Sequence, residues 1–178
     1  MPLPTITCPI CGAKISHALS HQDFTCAFCH FEHCTPTGSR DQVIPDVINL
    51  SQLLNIKRVS TVYIENGQAM PEDGPALNFC SLAPDDRQVE AIWADRVLPF
   101  QENLNQFFQE KYHQLVPGGL LYLSTPVKGY FRNPAPLPGQ INFFKAKNIM
   151  FLLEQHGFKM AWRQNRFAST LKIIARRC

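Results

Sequence analysis

Two pairs of cysteines near the beginning of the chain carry the clearest chemical signal in the sequence. Cys8 and Cys11 are separated by two residues, as are Cys26 and Cys29, and fourteen residues lie between the two pairs. Each pair can turn two thiolates toward one ion, and the intervening stretch suits a short hairpin that brings the pairs together. Four thiolates complete a tetrahedral zinc site with no open position, so we predict a structural zinc ion held by a four-cysteine ribbon.

Other candidate ligands surround these cysteines, and they keep alternative ligand sets open. The residues concerned are His17 and His21 between the pairs and His30, His33 and Cys34 after the second pair. One of them could replace Cys29 or bind a second ion, although polar residues on a small ribbon are more often solvated. A redox role of the thioredoxin type is disfavoured, because neither pair stands at the start of a helix that follows a strand.

The use of cysteine also bears on the compartment. Seven cysteines occur in 178 residues, and Cys34, Cys80 and Cys178 lie outside the two pairs. The chain begins with neither a basic segment nor a long apolar stretch, so we expect no secretory signal and a reducing, cytoplasmic location. The longest apolar runs are far shorter than the roughly 20 residues that a membrane span needs, so no membrane association is expected.

The net charge of +3 hides an uneven distribution. Residues 65–110 hold nine acids and two bases, whereas residues 111–178 hold eleven bases and one acid. The bases are scattered, which favours compensation by the acidic middle of the chain, although the basic third could also face an anionic partner. The ribbon has only two basic residues as far as Arg40, so we do not expect it to bind nucleic acid.

The rest of the chain alternates between strand and helix patterns. A turn-rich connector at 35–39 predicts a boundary near residue 40, which divides the chain into a zinc ribbon (1–40) and an α/β domain (41–178). Helices are predicted at 46–55, 103–116 and 145–155, and strands at 59–64, 76–82, 89–93, 120–125, 158–162 and 169–175. Pro117–Gly119 is expected to end the second helix. The pattern predicts an α/β sheet covered by helices, with an antiparallel hairpin at its end.

One stretch of the sequence resembles a known family. The run from Val89 to Phe158 contains QVEAIWADRVLPF, a helix, QLVPGGLLYLSTP, a long loop and GQINFFKAKNIMFLLEQHGF. It resembles the second half of class I S-adenosylmethionine-dependent methyltransferases, and more narrowly the family in which a four-cysteine zinc ribbon precedes that domain. The resemblance covers residues 1–40 and 89–178 well and 41–88 poorly. It implies a shortened Rossmann-like sheet, S-adenosylmethionine as cofactor and, if the protein is active, a small-molecule methyl acceptor.

The cofactor-binding half departs from this pattern. The resembled enzymes have a glycine-rich turn after the first strand, but this chain has no G-x-G, and its nearest match is IENGQA, with Glu65 and Gly67 as candidate cofactor residues. A simple turn also accounts for a lone glycine after a strand. Asp85 or Asp86 could be the acidic residue expected at the end of the second strand, and both could equally be ordinary loop charges. Only twenty-one residues separate Gly67 from Val89, which is room for one strand and not for the usual two helices and two strands.

Three functions are compatible with these features. The first is an active methyltransferase, which needs mainly alignment of its acceptor and not a general base. The second is a methyltransferase-like protein that has lost catalysis and acts in binding or assembly. The third is a zinc-ribbon interaction module with the second half of the chain as its scaffold.

Two expectations about surfaces accompany these functions. A sheet that has lost helices would expose apolar surface, so we expect a homodimer or a protein partner. The proline-rich segment 126–139, with Tyr130, Phe131 and Arg132, is expected to cover any acceptor pocket, because long loops inside domains are often functional.

Overall fold

The computed structural model of the chain describes residues 5–16, 23–35, 61–64, 78–80, 88–129, 133–164 and 169–178. The ribbon segment contains strands β1 (Thr5–Thr7), β2 (Lys14–Ser16), β3 (Phe24–Thr25) and β4 (Glu32–His33). The described part of the body contains β5 (Thr61–Ile64), β6 (Asn78–Cys80), β7 (Val89–Asp95), a short 3-10 helix (Leu98–Phe100), α1 (Leu104–Gln114), β8 (Leu115–Pro126), β9 (Asn142–Phe143), α2 (Ala146–Gln155), β10 (Phe158–Arg163) and β11 (Thr170–Arg177).

The main sheet has six strands in the order β10–β11–β8–β7–β5–β6. Strands β6, β5, β7 and β8 are parallel, whereas β11 is antiparallel to β8 and β10 is antiparallel to β11. The chain passes from β5 to β6 and then returns to the other side of β5 for β7, so the strand order reverses between β5 and β7. The predicted α/β sheet with a terminal antiparallel hairpin is therefore confirmed.

Most predicted elements that fall on described residues are present with shifted ends. The predicted strand at 59–64 is described as Thr61–Ile64, and the one at 76–82 as Asn78–Cys80. Strand β6 is the described strand between Gly67 and Val89, and the remaining residues of that stretch, apart from Gln88, lie outside the described residues. The predicted helix at 46–55 lies outside the described residues.

The Pro117–Gly119 segment does not end the preceding helix, contrary to the prediction. Helix α1 begins after its N-cap, Asn103, and already ends at Gln114. Strand β8 follows at once and contains the segment, where its register against β7 jumps from Leu115 to Leu120. The segment is therefore a β-bulge, which places its extra residues outside the ladder. A Cβ on Gly119 would lie only 2.8 Å from a backbone oxygen, so the bulge requires glycine there.

Both helices contribute to one apolar core with one face of the sheet. Alternate residues of a strand point to opposite faces, and the residues of the central strands that share this core follow that alternation. The core includes Phe107 and Phe108 of α1, Ile149, Leu152 and Leu153 of α2, and Ile92, Ala94, Leu121, Leu123, Ile173 and Ala175 of the sheet.

The opposite face of the central strands is buried as well. Trp93 of β7 and Tyr122 of β8 are register partners, and their rings stack with centroids 3.9 Å apart. Ile174 of β11 is the next partner in the same row, and all three side chains are at most 1% exposed. The sequence predicted a strand apolar enough to be buried on both faces at 120–125, and this is confirmed.

The ribbon and the body share their core in the described residues. Cys8, Ile10, Cys26 and Phe31 belong to the same buried apolar cluster as the body's helices and strands. Strand β4 pairs antiparallel with β9, which the sequence did not predict, and the two form a three-stranded sheet with β3. The predicted domain boundary near residue 40 lies outside the described residues and stays a prediction.

The structure also bears on the expectation about membranes. Neither of the helices in the described parts of the chain has the length and apolar character needed to cross a bilayer.

We expect Phe31→Ala to lower the free energy of unfolding of the body by about 3–5 kcal/mol, because a fully buried ring would leave a cavity. Phe31 is 0% exposed, and its ring centroid lies 5.8 Å from that of Phe24 and 5.5 Å from that of Phe144. Urea unfolding followed by tryptophan fluorescence measures this, since both tryptophans belong to the body.

The matched control is Phe28→Ala, because Phe28 is also an aromatic residue of the ribbon but is 75% exposed. We expect this control to change the stability by less than about 0.5 kcal/mol. An unchanged urea midpoint for Phe31→Ala would contradict a shared core.

Candidate metal centre and carboxyl edge of the sheet

The four predicted cysteine ligands meet at one point of the ribbon. The Sγ atoms of Cys8, Cys11, Cys26 and Cys29 all lie within 4.8 Å of one another, and the pairs Cys8–Cys29 and Cys11–Cys26 are 3.6 Å apart. Zinc–sulfur bonds of about 2.3 Å in a tetrahedron place the sulfur atoms about 3.8 Å apart. The separations of the four thiols therefore fit a tetrahedral ion of this size.

Two similar turns hold the thiols in place. In the first, the N–H of Gly12 donates to the carbonyl of Cys8 at 3.0 Å, and in the second the N–H of His30 donates to the carbonyl of Cys26 at 2.9 Å. Gly12 and His30 each follow the second cysteine of a pair, and both have positive φ angles, of 72° and 57°. The left-handed backbone turns the chain back so that both thiols of a pair point the same way, as the spacing predicted.

The ionisation of the thiols reflects their crowding. Burial would raise the pKa of Cys26, but hydrogen bonds from the backbone N–H groups of Cys29 and Phe28, together with neighbouring thiols, lower this pKa to about 7. Burial raises the pKa of Cys8. Burial also raises the pKa of Cys29, as do the hydrogen bonds and charge of the adjacent thiols. A bound cation would displace the protons of the cysteine thiols and offset the repulsion among the four thiolates.

The competing ligands that fall on described residues are not part of the thiol cluster. In the described parts of the chain, the group close enough to hold a metal ion consists of the four cysteines alone. His33 instead lies 2.9 Å from the side-chain oxygen of Asn142, and the backbone N–H of Cys34 donates to the carbonyl of Ile141 at 2.7 Å. His17 and His21 lie outside the described residues.

The ribbon contacts the body close to the carboxyl edge of the sheet, beyond the end of β8. Lys128 forms an ion pair with Glu32 of β4 and lies 5.0 Å from the ring centroid of Phe143. A cavity of about 210 Å³ opens beside this lysine, with Pro126, Pro134 and Phe144 among its walls. The walls of the cavity combine these apolar residues with polar ones, among them Asn133 and Gln140, and the ribbon is its neighbour.

The end of β7 brings a carboxylate to the same edge. Asp95 is 5% exposed and forms an ion pair at 3.9 Å with Arg96, whose side chain is 39% exposed. Arg96 has a positive φ of 50°, and its N–H donates to the carbonyl of Ser124 on β8 at 2.8 Å. The chain turns sharply here into the segment that contains the 3-10 helix.

The predicted cofactor residues come shortly after the end of β5 in the sequence. Glu65 directly follows β5 in the sequence and Gly67 comes two residues later, but both lie outside the described residues, as do Asp85 and Asp86. Ile64, the last residue of β5, is the register partner of Trp93 near the end of β7. Glu65 and Gly67 therefore follow the strand end at which the order of the sheet reverses, where α/β proteins bind ligands.

Two buried amides at this edge were missed as functional candidates. Gln140 is 6% exposed and Asn142 is 1% exposed, and both make side-chain hydrogen bonds to backbone groups. Buried polar residues are almost always hydrogen-bonded. A polar residue before the run INFF and another within it were therefore the sequence signal that could have indicated these amides. Their partners lie up to 109 positions away in the sequence, which no local pattern predicts.

Comparison with solved structures shows which fold this is. The [4+2]-cyclase SpnF superposes with a TM-score of 0.55 at 12% identity, covering 80% of this chain and 89% of SpnF. The S-adenosylmethionine-dependent methyltransferase SibL in its apo form gives 0.54 at 13% identity, covering 72% and 54% of the two chains. An S-adenosylmethionine-dependent methyltransferase from Listeria monocytogenes gives 0.51 at 11% identity, covering 74% and 97%.

The comparisons confirm the predicted fold. The body has the Rossmann-like fold of class I S-adenosylmethionine-dependent methyltransferases, and the clustered cysteines in front of it fit a zinc ribbon. No protein-family model and no curated protein matches the amino-acid sequence.

We expect the purified, fully reduced protein to contain about one zinc ion per chain, because four clustered thiols form a closed tetrahedral site. Cys8→Ser should lower the metal content well below this value in elemental analysis. Cys34→Ser is the matched control and should retain the metal, since Cys34 lies outside the cluster. A metal content near zero in the wild type, or equal loss in both variants, would contradict the site.

Proposed function

We propose that this chain is a zinc-ribbon methyltransferase that binds S-adenosylmethionine at the carboxyl edge between β5 and β7. The observation that carries the proposal is the reversal of strand order at β5 and β7, in a body with a methyltransferase-like fold. Ligands of open α/β sheets bind outside the carboxyl ends of the strands at such a reversal. Glu65 and Gly67 are the residues that we expect to contact the cofactor there.

The described part of this edge fits the charge of the proposed cofactor. S-adenosylmethionine carries a positively charged sulfonium group and supplies an electrophilic methyl group. Asp95 presents a largely buried carboxylate at the end of β7, and a nearby negative charge stabilises a cation in a site of low dielectric constant. Glycine has no Cβ, so the backbone at Gly67 can approach the cofactor closely. The resembled enzymes have more than one glycine in this turn, whereas this chain has one.

The methyl acceptor that we propose is a small molecule bound in the cavity at the end of β8. Its apolar walls, which include Pro126, Pro134 and Phe144, suit an uncharged or planar group, and Lys128 stands at its side. Methyl transfer requires the acceptor atom to be aligned with the methyl group, and a pocket at the same edge of the sheet as the proposed cofactor site could supply that alignment. The segment 130–132, predicted to cover this pocket, lies outside the described residues.

The zinc ion has a structural role in this proposal. Four thiolates fill all positions of a tetrahedral ion, so no position remains for a substrate or a reactive water. Such a site stabilises the ribbon by binding to its folded form alone. Cysteines that are not paired in disulfides persist in a reducing compartment, so we propose a cytoplasmic location.

A second candidate is a methyltransferase-like protein that binds a ligand or a protein partner without catalysis. Two observations favour it: the sequence has no G-x-G, and β6 is the one described strand between Gly67 and Val89. The likeness to SpnF, a [4+2]-cyclase, is also a reminder that fold alone does not determine the reaction. In this case a homodimer or a protein partner would cover the apolar surface left by the missing elements.

The third candidate, a ribbon that acts as an interaction module on a passive scaffold, receives less support. The buried residues of the ribbon belong to the core of the body in the described residues, and Phe31 has no exposed surface left to offer a partner.

We expect calorimetric titration with S-adenosylmethionine to saturate at micromolar ligand, because the reversal of strand order at β5 and β7 is present. Gly67→Trp should abolish the binding, since an indole would fill the space that the backbone leaves for the ligand. Phe28→Trp, on the exposed surface of the ribbon, adds the same side chain far from the crevice and should leave the affinity unchanged.

The two candidates give different results in this titration. An absence of binding at millimolar ligand would reject the cofactor site and leave the second candidate. Equal affinity of wild type and Gly67→Trp would mean that the ligand binds elsewhere.

A further inference from the structure

The segment around β9 lies between the ribbon and the carboxyl edge of the main sheet. On the ribbon side, β9 pairs with β4, and the N–H of Cys34 donates to the carbonyl of Ile141 at 2.7 Å. On the body side, the N–H of Ile141 donates to the carbonyl of Pro99 at 2.9 Å, in the 3-10 helix that follows β7. The backbone of Ile141 thus accepts a hydrogen bond from the ribbon through its carbonyl and donates one to the segment after β7 through its N–H.

Asn142 makes the same connection with its side chain. Its Nδ2 donates to the carbonyl of Leu98 at 3.1 Å and to the carbonyl of Gln101 at 2.6 Å. Leu98 is the first residue of the 3-10 helix, and Gln101 directly follows the last. These two carbonyl acceptors fix the orientation of the amide, so its Oδ1 faces the Nδ1 of His33 at 2.9 Å. An amide oxygen only accepts, and therefore His33 must donate through Nδ1.

Both the nitrogen and the oxygen of the Asn142 amide therefore have hydrogen-bond partners, and the residue is only 1% exposed. A buried amide that loses a partner costs about 1–3 kcal/mol, so the hydrogen bond to His33 stabilises the observed position of Asn142. Gln140 strengthens the arrangement, because its Nε2 donates to the backbone carbonyl of Asn142 at 2.7 Å.

The ribbon itself has little to hold it together without an ion. Strands β3 and β4 are two residues long, and β1 and β2 are three residues long. Segments of this size bury too little surface to fold alone, and their four clustered thiols would otherwise lie close together with no cation between them. Strand β4 is also held by the burial of Phe31 and by its pairing with β9, so we expect the metal to fix the turns that carry the cysteines and, through them, the exact position of His33 and Glu32.

We propose that metal binding by the four cysteines positions the carboxyl edge of the body's sheet, with Asn142 as the positioning residue that connects the ribbon to the segment after β7. The proposal rests on the metal site proposed above and does not depend on S-adenosylmethionine. It gives the ribbon a role inside the protein, because loss of the ion would displace the walls of the cavity at β8 and the residues after Asp95.

Hydrogen–deuterium exchange of the full chain, zinc-loaded and stripped with a chelator under reducing conditions, tests this proposal. We expect peptides that cover 96–101 and 133–144 to exchange about tenfold faster without zinc, and peptides of β10 and β11 to change less than about twofold. Equal acceleration along the whole chain would mean that zinc only stabilises the fold globally. Faster exchange confined to residues 5–35 would mean that the ribbon does not position the edge. Either result overturns the proposal.

Variants of the connecting residue separate positioning from general stability. Asn142→Leu keeps the branched shape of the side chain but removes the hydrogen bonds of the amide on both sides, so we expect it to retain zinc while exchange at 96–101 becomes fast with or without the ion. His33→Ala, at a half-buried position, removes the ribbon's hydrogen bond to Asn142 and should have the same effect if Asn142→Leu does not fold. Asn105→Ala is the matched control, because it removes a different hydrogen bond between the body and the ribbon, from its Nδ2 to the carbonyl of Pro9.

We expect the Asn105→Ala control to keep the full effect of zinc on the edge. If neither Asn142→Leu nor His33→Ala changes the response to zinc, Asn142 is not the connection. Elemental analysis of the same samples distinguishes failure of the metal site from failure of its effect on the carboxyl edge. A wild type that binds no zinc would reject the metal site and this inference together, whereas bound zinc without an effect at the edge would reject the inference alone.

Discussion

The packing of Phe31 and strand β4 against β9 and Phe144 is the interaction on which the rest of the described structure depends. It joins a ribbon that is too small to bury a core of its own to a body with an extended sheet. Because the ring of Phe31 is fully buried, the ribbon cannot move independently of the body without exposing it. The thiol cluster and the carboxyl edge are thus parts of one packed unit.

The carboxyl edge gathers most of the chemistry because parallel strands end on the same side of a sheet. The reversal between β5 and β7, the buried carboxylate of Asp95 and the cavity at the end of β8 all lie at this edge. A shortened sheet keeps these features as long as its central parallel strands survive, and β5, β7 and β8 do. In the described part of the chain, β6 is the outermost strand on its side of the sheet, and the reversal between β5 and β7 is present.

Local patterns predicted the elements better than their ends and connections. Helices α1 and α2 and the terminal hairpin follow from apolar periodicity, and the two cysteine pairs follow from ligand spacing. The bulge at Pro117–Gly119 was read as a helix stop, because proline and glycine give the same local signal in both settings. Only the ladder between β7 and β8 distinguishes them, since it shifts the register there.

The sequence by itself determined the cluster of four thiols and the α/β class, because short-range spacing and periodicity encode both. It also indicated the shortened cofactor half through a count of residues. Only the tertiary structure decided that β4 pairs with β9 and that Asn142 stands between His33 and the carbonyls after β7. Contacts between residues more than a hundred positions apart depend on how the whole chain packs, and a two-residue strand such as β9 has no pattern of its own until a partner strand lies beside it.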